Sequence, residues 1–182
     1  EAPHFIIIDE LNGYWFVTTF QSGYVGMYDL ETDVFIDTIQ VGNSPALLAV
    51  DEQNSKLYVS RMMMMMGMMA PESKIDVLDY SDGTLDVLDP ICLVDETEIL
   101  EFPSPHAISF TDDTERIDNT DATGVLITAS MDTDWFSMIE IEPYQNLSPV
   151  YQTFNQEDEP VFEGELKPLA VVQKDNFAFF SC

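Results

Sequence analysis

Positive charge is what this sequence has least of. Its 182 residues hold 6 Lys and Arg against 34 Asp and Glu, a formal net charge of −28. Nucleic acid and anionic lipid are bound by neutralising phosphate with Lys and Arg, so this balance excludes nucleic acid as a partner. Cysteine is as scarce, with Cys92 and Cys182 only. No C-x-x-C or C-x-x-C-H occurs, which sets aside the usual zinc, thioredoxin and c-type haem signatures. Two cysteines can pair, but the sequence does not say whether these do. No apolar run approaches the roughly 20 residues that a membrane-spanning helix needs, so no membrane span is expected. Phe5–Ile8, with no basic segment before it, is too short for the core of a secretory leader. Catalytic phrases are missing too: there is no G-x-S-x-G elbow, no phosphate-cradling P-loop and no G-x-G-x-x-G. In so acidic a chain carboxylate pairs occur everywhere, and a pair says nothing of glycoside hydrolysis.

What the chain does have is a core and a repeat. Hydrophobic residues make up 46% and aromatics 12%, the composition of a packed globular chain. The phrase Pro45-Ala-Leu-Leu-Ala-Val-Asp51, a polar turn, then Lys56-Leu-Tyr-Val-Ser60 reads strand, turn, strand. It occurs earlier as Pro3-His-Phe-Ile-Ile-Ile-Asp9, a turn with Asn12-Gly13, then Tyr14–Thr18. It returns as Pro105–Phe110 with Gly124–Thr128, and begins a fourth time as Pro168–Val172 with Phe177–Ser181. These are hairpin signals: β-rich runs separated by turns of Asp, Asn or Gly. Third strands follow at Tyr24–Asp29, Lys74–Asp79 and Phe136–Ile141, and a fourth at Val34–Ile39. The Pro-to-Pro spacing is 42 residues, then close to 60 twice. A period near 40 with four short strands per unit is that of a propeller blade. The longer intervals carry insertions at 62–71, around 90–98, at 111–123 and at 142–164.

The run Asp37-Thr-Ile-Gln-Val-Gly-Asn-Ser-Pro-Ala-Leu-Leu-Ala-Val-Asp51, continuing to Lys56-Leu-Tyr-Val-Ser60, resembles the YVTN repeat of surface-layer-type propellers. The match is close over residues 14–60 and looser over 100–182. The resemblance implies an all-β fold: a β-propeller of four-stranded antiparallel blades around a central channel, commonly seven to a ring. About three and a half blades are expected here, roughly at 3–44, 45–104, 105–167 and, incomplete, 168–182. The remaining blades would come from further chain or from other subunits, because an open half-ring leaves apolar sheet faces and strand edges uncovered.

Propeller topology places the unusual residues on one face, where fourth strands lead into first strands and second strands lead into third. His4 and His106 both follow the repeat Pro, at the start of the innermost strand near the channel mouth; Ala46 and Leu169 stand at the same place in repeats two and four. Imidazole is the commonest metal ligand and a usual general base, while a hydrogen-bonded pair lining a wet channel is the plainer reading. Met62, Met63, Met64, Met65, Met66, Met68 and Met69 lie between the second and third strands of repeat two, with Met131 and Cys182 at the matching places of repeats three and four. Thioethers select Cu(I), and Met-rich loops also make adaptable partner surfaces, so copper binding, partner binding through Arg61, Met68 and Met69, and simple packing all stay open. Arg61 could pair a carboxylate or orient an anionic ligand. The acidic insertion Thr111–Asp121, on the opposite face, offers oxygen ligands for calcium but matches no calcium-loop spacing.

Two functions follow. The first is a secreted, periplasmic or cell-surface propeller that binds a protein partner or self-assembles without catalysis. The second is a copper-binding or redox propeller with a His/Met site on that face. The resemblance also extends to lactonase-like propellers and amine dehydrogenase subunits, whose site residues have no counterparts that can be mapped here.

Overall fold

A computed structural model describes residues 2–42, 44–61, 73–93, 104–114, 121–132, 135–142, 145–152, 168–174 and 177–181. Among these residues every regular element is a strand, and no helix is long and apolar enough to cross a membrane. The first sheet joins β1 (Pro3–Asp9), β2 (Tyr14–Thr19), β3 (Tyr24–Asp29) and β4 (Phe35–Gln40) in chain order. The second joins β5 (Pro45–Asp51), β6 (Lys56–Arg61) and β7 (Lys74–Asp79) to an outer strand in two pieces, β8 (Asp86–Val87) and β9 (Ile91–Cys92). The third holds β10 (Pro105–Thr111), β11 (Gly124–Ser130), β12 (Trp135–Ile141) and β13 (Gln145–Gln152), and the last pairs β14 (Ala170–Lys174) with β15 (Phe177–Ser181). All ladders are antiparallel, and the arrangement is that of a partial β-propeller with four-stranded blades.

The hairpin turns are set by side chains. Asp9 accepts bonds from the Asn12 backbone amide at 2.9 Å and from Asn12 Nδ2 at 2.8 Å; Asp51 does the same for Asn54 at 3.1 and 2.8 Å. The following residue, Gly13 or Ser55, takes a positive φ of 78° or 52°. An Asx residue that reproduces a turn in its side chain explains why D-x-x-N recurs between first and second strands. The outer strand of blade two is split for an equally local reason. Leu88 still donates to the Val77 carbonyl, and Leu93 to Ser73, but Pro90 between them has no amide to give.

Alternation along each strand then sorts the core into layers between blades. In β6, Leu57 and Val59 face blade one and join Phe16, Val25 and Met27; Tyr58 between them faces blade three and joins Ile108, Leu126 and Ile139. In β11, Leu126 faces blade two, while Val125, Ile127 and Ala129 meet Val171 of the fourth sheet. Each middle sheet is therefore apolar on both faces, and its inner strands are nearly continuous hydrophobic runs. The inner strands β1, β5, β10 and β14 stand side by side in that order.

Polar ties cross the same layers. Tyr80 donates to Asp9 of blade one at 2.6 Å, and Thr18 to the Ala46 carbonyl of blade two at 2.7 Å. Arg61, at the end of β6, is 2% exposed; its guanidinium donates to Asp76 and to the Val41 carbonyl. Gly42 beside it has φ +100°, and a Cβ there would lie 3.6 Å from the guanidinium, so the Val-Gly of the repeat phrase is where the chain passes over the buried arginine.

Removing one partner from a buried ion pair costs up to about 3–5 kcal/mol, the upper end being offset here because Lys74 Nζ also lies 3.8 Å from Asp76. Arg61→Met is expected to destabilise the chain on that scale in denaturant unfolding, whereas Lys56→Met, at a half-exposed pair with Asp79, should cost under about 1 kcal/mol.

Candidate functional site

The inner strands β1, β5 and β10 each begin with a bulge, whereas β14 pairs with β15 in unbroken register. Register shifts between Pro3 and Phe5, between Pro45 and Leu48, and between Pro105 and Ala107. The residue after each of these three prolines is thereby thrown out of the ladder and re-aimed, which is what a bulge does. His4 and His106 are two of these residues. Their Nδ1 atoms face equivalent acceptors in the next sheet: His4 faces the Ala46 carbonyl at 3.4 Å and His106 faces the Leu169 carbonyl at 2.8 Å. A carbonyl only accepts, so Nδ1 carries the proton and Nε2 the lone pair.

Blades one and three are not neighbours, yet the two rings meet. Their centroids are 6.1 Å apart with perpendicular planes, and Phe20 flanks His4 at 5.8 Å. Side chains of non-adjacent blades reach one another only where inner strands converge, so the pair marks the axial end. His4 is exposed; His106 is 6% exposed, and its Nε2 is buried with no hydrogen-bond partner among the described residues. Burial pushes the His106 pKa down, the Leu169 bond opposes this, and nearby His4 pushes it further down.

The other sequence candidates are placed differently. Arg61 is buried at the junction of blades one and two, so its guanidinium serves the fold and is not on a partner-facing surface. Met62 to Met66, Met68 and Met69 lie outside the described residues, as does Cys182; Cys92 is exposed. Met131 is half-buried and donates its amide to the Ser104 carbonyl. Of the Thr111–Asp121 insertion, residues 115–120 lie outside the described set. Among the described residues no group of three or more His, Cys, Asp or Glu is arranged to hold a metal ion.

Repeat reading did not single out a groove of about 750 Å³ on the opposite face, between blades two and three. Tyr58, Val77, Ile91 and Ile141 line it together with the carboxylates of Asp51, Asp89, Asp121 and Glu142. Burial first, then Asp51 and Glu142, push the Tyr58 pKa upward, so the phenol stays neutral in a negative field. Next to it, burial and then Asp9, Glu10 and Asp112 push the Glu52 carboxyl up. Lys56 also lines the groove but is paired with Asp79, so four carboxylates dominate the field, which suits a cationic or neutral group over an anionic one. The signal in the sequence was Asp51, which closes β5 as Asp9 closes β1 and reads equally well as a turn residue.

No family model matches the chain, and no curated protein does. Solved structures do match. A candidate 6-phosphogluconolactonase of Bacteroides fragilis superposes with a TM-score of 0.63 at 12% identity, over 99% of this chain and 42% of that one. Kuenenia stuttgartiensis hydrazine synthase gives 0.61 at 14%, over 93% and 38%. The Cps50 (Swd1) β-propeller domain of Myceliophteria thermophila gives 0.60 at 11%, over 93% and 46%. At such identities the likeness is one of fold, and that fold is the β-propeller. The chain spans less than half the length of each.

The lowered His106 pKa has a definite sign. Its neutral form is favoured in the folded chain, so the unfolded chain takes up the proton first as pH falls through about 6.5. The associated stability is complete above that value and is lost as pH drops toward the lowered folded pKa. Across about pH 7 to 5, His106→Gln should show a flatter loss of denaturation midpoint than the parent chain. Parallel profiles would mean that His106 is not the source.

Proposed function

We propose that this chain is a binding and assembly module without catalysis, built from propeller blades of the YVTN-repeat type and working in a secreted, periplasmic or cell-surface setting. The observation that carries the reading is the outward face of the two end sheets. On β1, Phe5 and Ile7 pack toward blade two while Ile6 and Ile8 are exposed. On the last sheet, Val171 and Phe180 pack toward blade three, while Val172, Phe177 and Phe179 are 61–66% exposed in the case of the two aromatics and 63% for the valine. These rows repeat the alternation that is buried between the middle blades. An apolar row of that pattern is suited to another blade, and contiguous exposed apolar surface marks association.

The β-propeller neighbours support the scaffold part of this reading, since such folds present broad loop-lined faces to partners. The acidity supports solubility in salt or outside the cell. Further blades from the same polypeptide or from another subunit are the partners that the end faces fit.

Light scattering over a concentration series tests the reading. The 182-residue chain should self-associate reversibly, and Phe179→Asp together with Ile6→Lys should shift it toward monomer with the fold retained by circular dichroism. A parent chain that stays monomeric at all concentrations and captures no added blade would count against the proposal.

A further inference from the structure

We propose that His4 and His106 are the two nitrogen ligands of a monovalent copper site at the axial end of the inner strands. The chain has only two histidines. They lie in non-adjacent blades, and the fold brings their ring centroids to 6.1 Å. Two imidazoles sharing one ion through bonds of about 2 Å each, plus the half-width of each ring, span a distance of that order.

The second shell is already in place. Each Nδ1 is opposite a backbone carbonyl of the following sheet, the arrangement that fixes the tautomer and raises the basicity of a ligating histidine. It leaves Nε2 as the donor on both rings. On His106 that atom is buried and without a hydrogen-bond partner among the described residues, on a side chain 6% exposed. A buried polar atom left unpaired is costly and calls for an explanation; an ion supplies the missing partner. His4 is exposed, with its Nδ1 contact at 3.4 Å, so its side of the pair is the one from which an ion would enter.

The donor set selects the ion. Among the described residues no carboxylate is grouped with the two neutral nitrogens, and calcium or magnesium would need oxygen ligands. They also fall short of the four ligands of a structural zinc site. Imidazole suits zinc, iron, nickel and copper alike; what favours Cu(I) among them is that this filled-shell monovalent ion is content with two donors. The net charge of −28 raises the local concentration of any cation.

Anaerobic titration of the full chain with Cu(I), in competition with a chromophoric chelator, tests the assignment. The parent chain should take one equivalent at the histidine pair, with X-ray absorption showing nitrogen neighbours at about 1.9–2.1 Å. His4→Gln and His106→Gln should each weaken that equivalent at least tenfold. His4 is exposed, so its variant decides the matter if His106→Gln does not fold. Three results would overturn the proposal: no Cu(I) uptake, uptake unchanged in both variants, or sulfur neighbours alone at about 2.3 Å, which would place the copper on thioethers instead. Equal or tighter binding of Zn(II) at the same pair would overturn the choice of ion.

Discussion

A four-stranded sheet with two apolar faces has no stable place in water by itself, and the rest of this structure answers that constraint. Burying one Leu, Val or Phe contributes about 1.5–3 kcal/mol, whereas a single intramolecular hydrogen bond nets about 0.5–1.5 kcal/mol. The layers led by Leu57, Val59 and Phe16 on one side of blade two, and by Tyr58, Ile108 and Leu126 on the other, therefore decide that blades associate. The polar ties decide how. Tyr80 on Asp9, Thr18 on the Ala46 carbonyl and Arg61 on the Val41 carbonyl each fix one rotation or slide of one blade against the next.

The bulge after the repeat proline belongs to the same scheme. In β1, β5 and β10 it frees one residue from the inner ladder and turns it toward the axis, where small differences in side chain set the chemistry. The residue after the repeat proline contributes a carbonyl acceptor where it is Ala46, freed by the bulge, or Leu169, still bonded to Ser181; where it is His4 or His106, it contributes a ring that uses that acceptor. A single backbone device thus gives both the support and the functional group, and the histidine positions alternate with those that hold them.

Much of the fold was legible because its signals are local. Asp9-x-x-Asn12-Gly13 and Asp51-x-x-Asn54-Ser55 specify their turns within five residues, and the strands on either side follow the period-two pattern. The sheet order needs no long-range information, since consecutive strands pair. What was not legible depends on distance between blades. Arg61 reads from the sequence as a partner for a carboxylate or an anionic ligand; only the packing of blade two against the end of blade one shows that it is enclosed with Asp76 and the Val41 carbonyl. The two histidines could be assigned to equivalent positions, but their approach across two blades depends on the curvature of the inner strands. The groove beside Tyr58 is invisible for the same reason, since its carboxylates come from turns that each look ordinary alone. The break between β8 and β9 was readable only as an irregularity near Pro90.

The strictly sequential pairing of strands has a further consequence, for the order in which the molecule comes into being. Hairpin and meander contacts close short loops, so the entropic cost of forming one sheet stays small. A chain emerging from a ribosome can complete β1 to β4 before β5 has appeared, and each later sheet finds its template already standing. Growth is then an addition of units to an existing face, with the cooperativity of a one-dimensional array and not of a single nucleus. Such a molecule is most vulnerable at its newest face, which stays open for as long as the next unit takes to arrive.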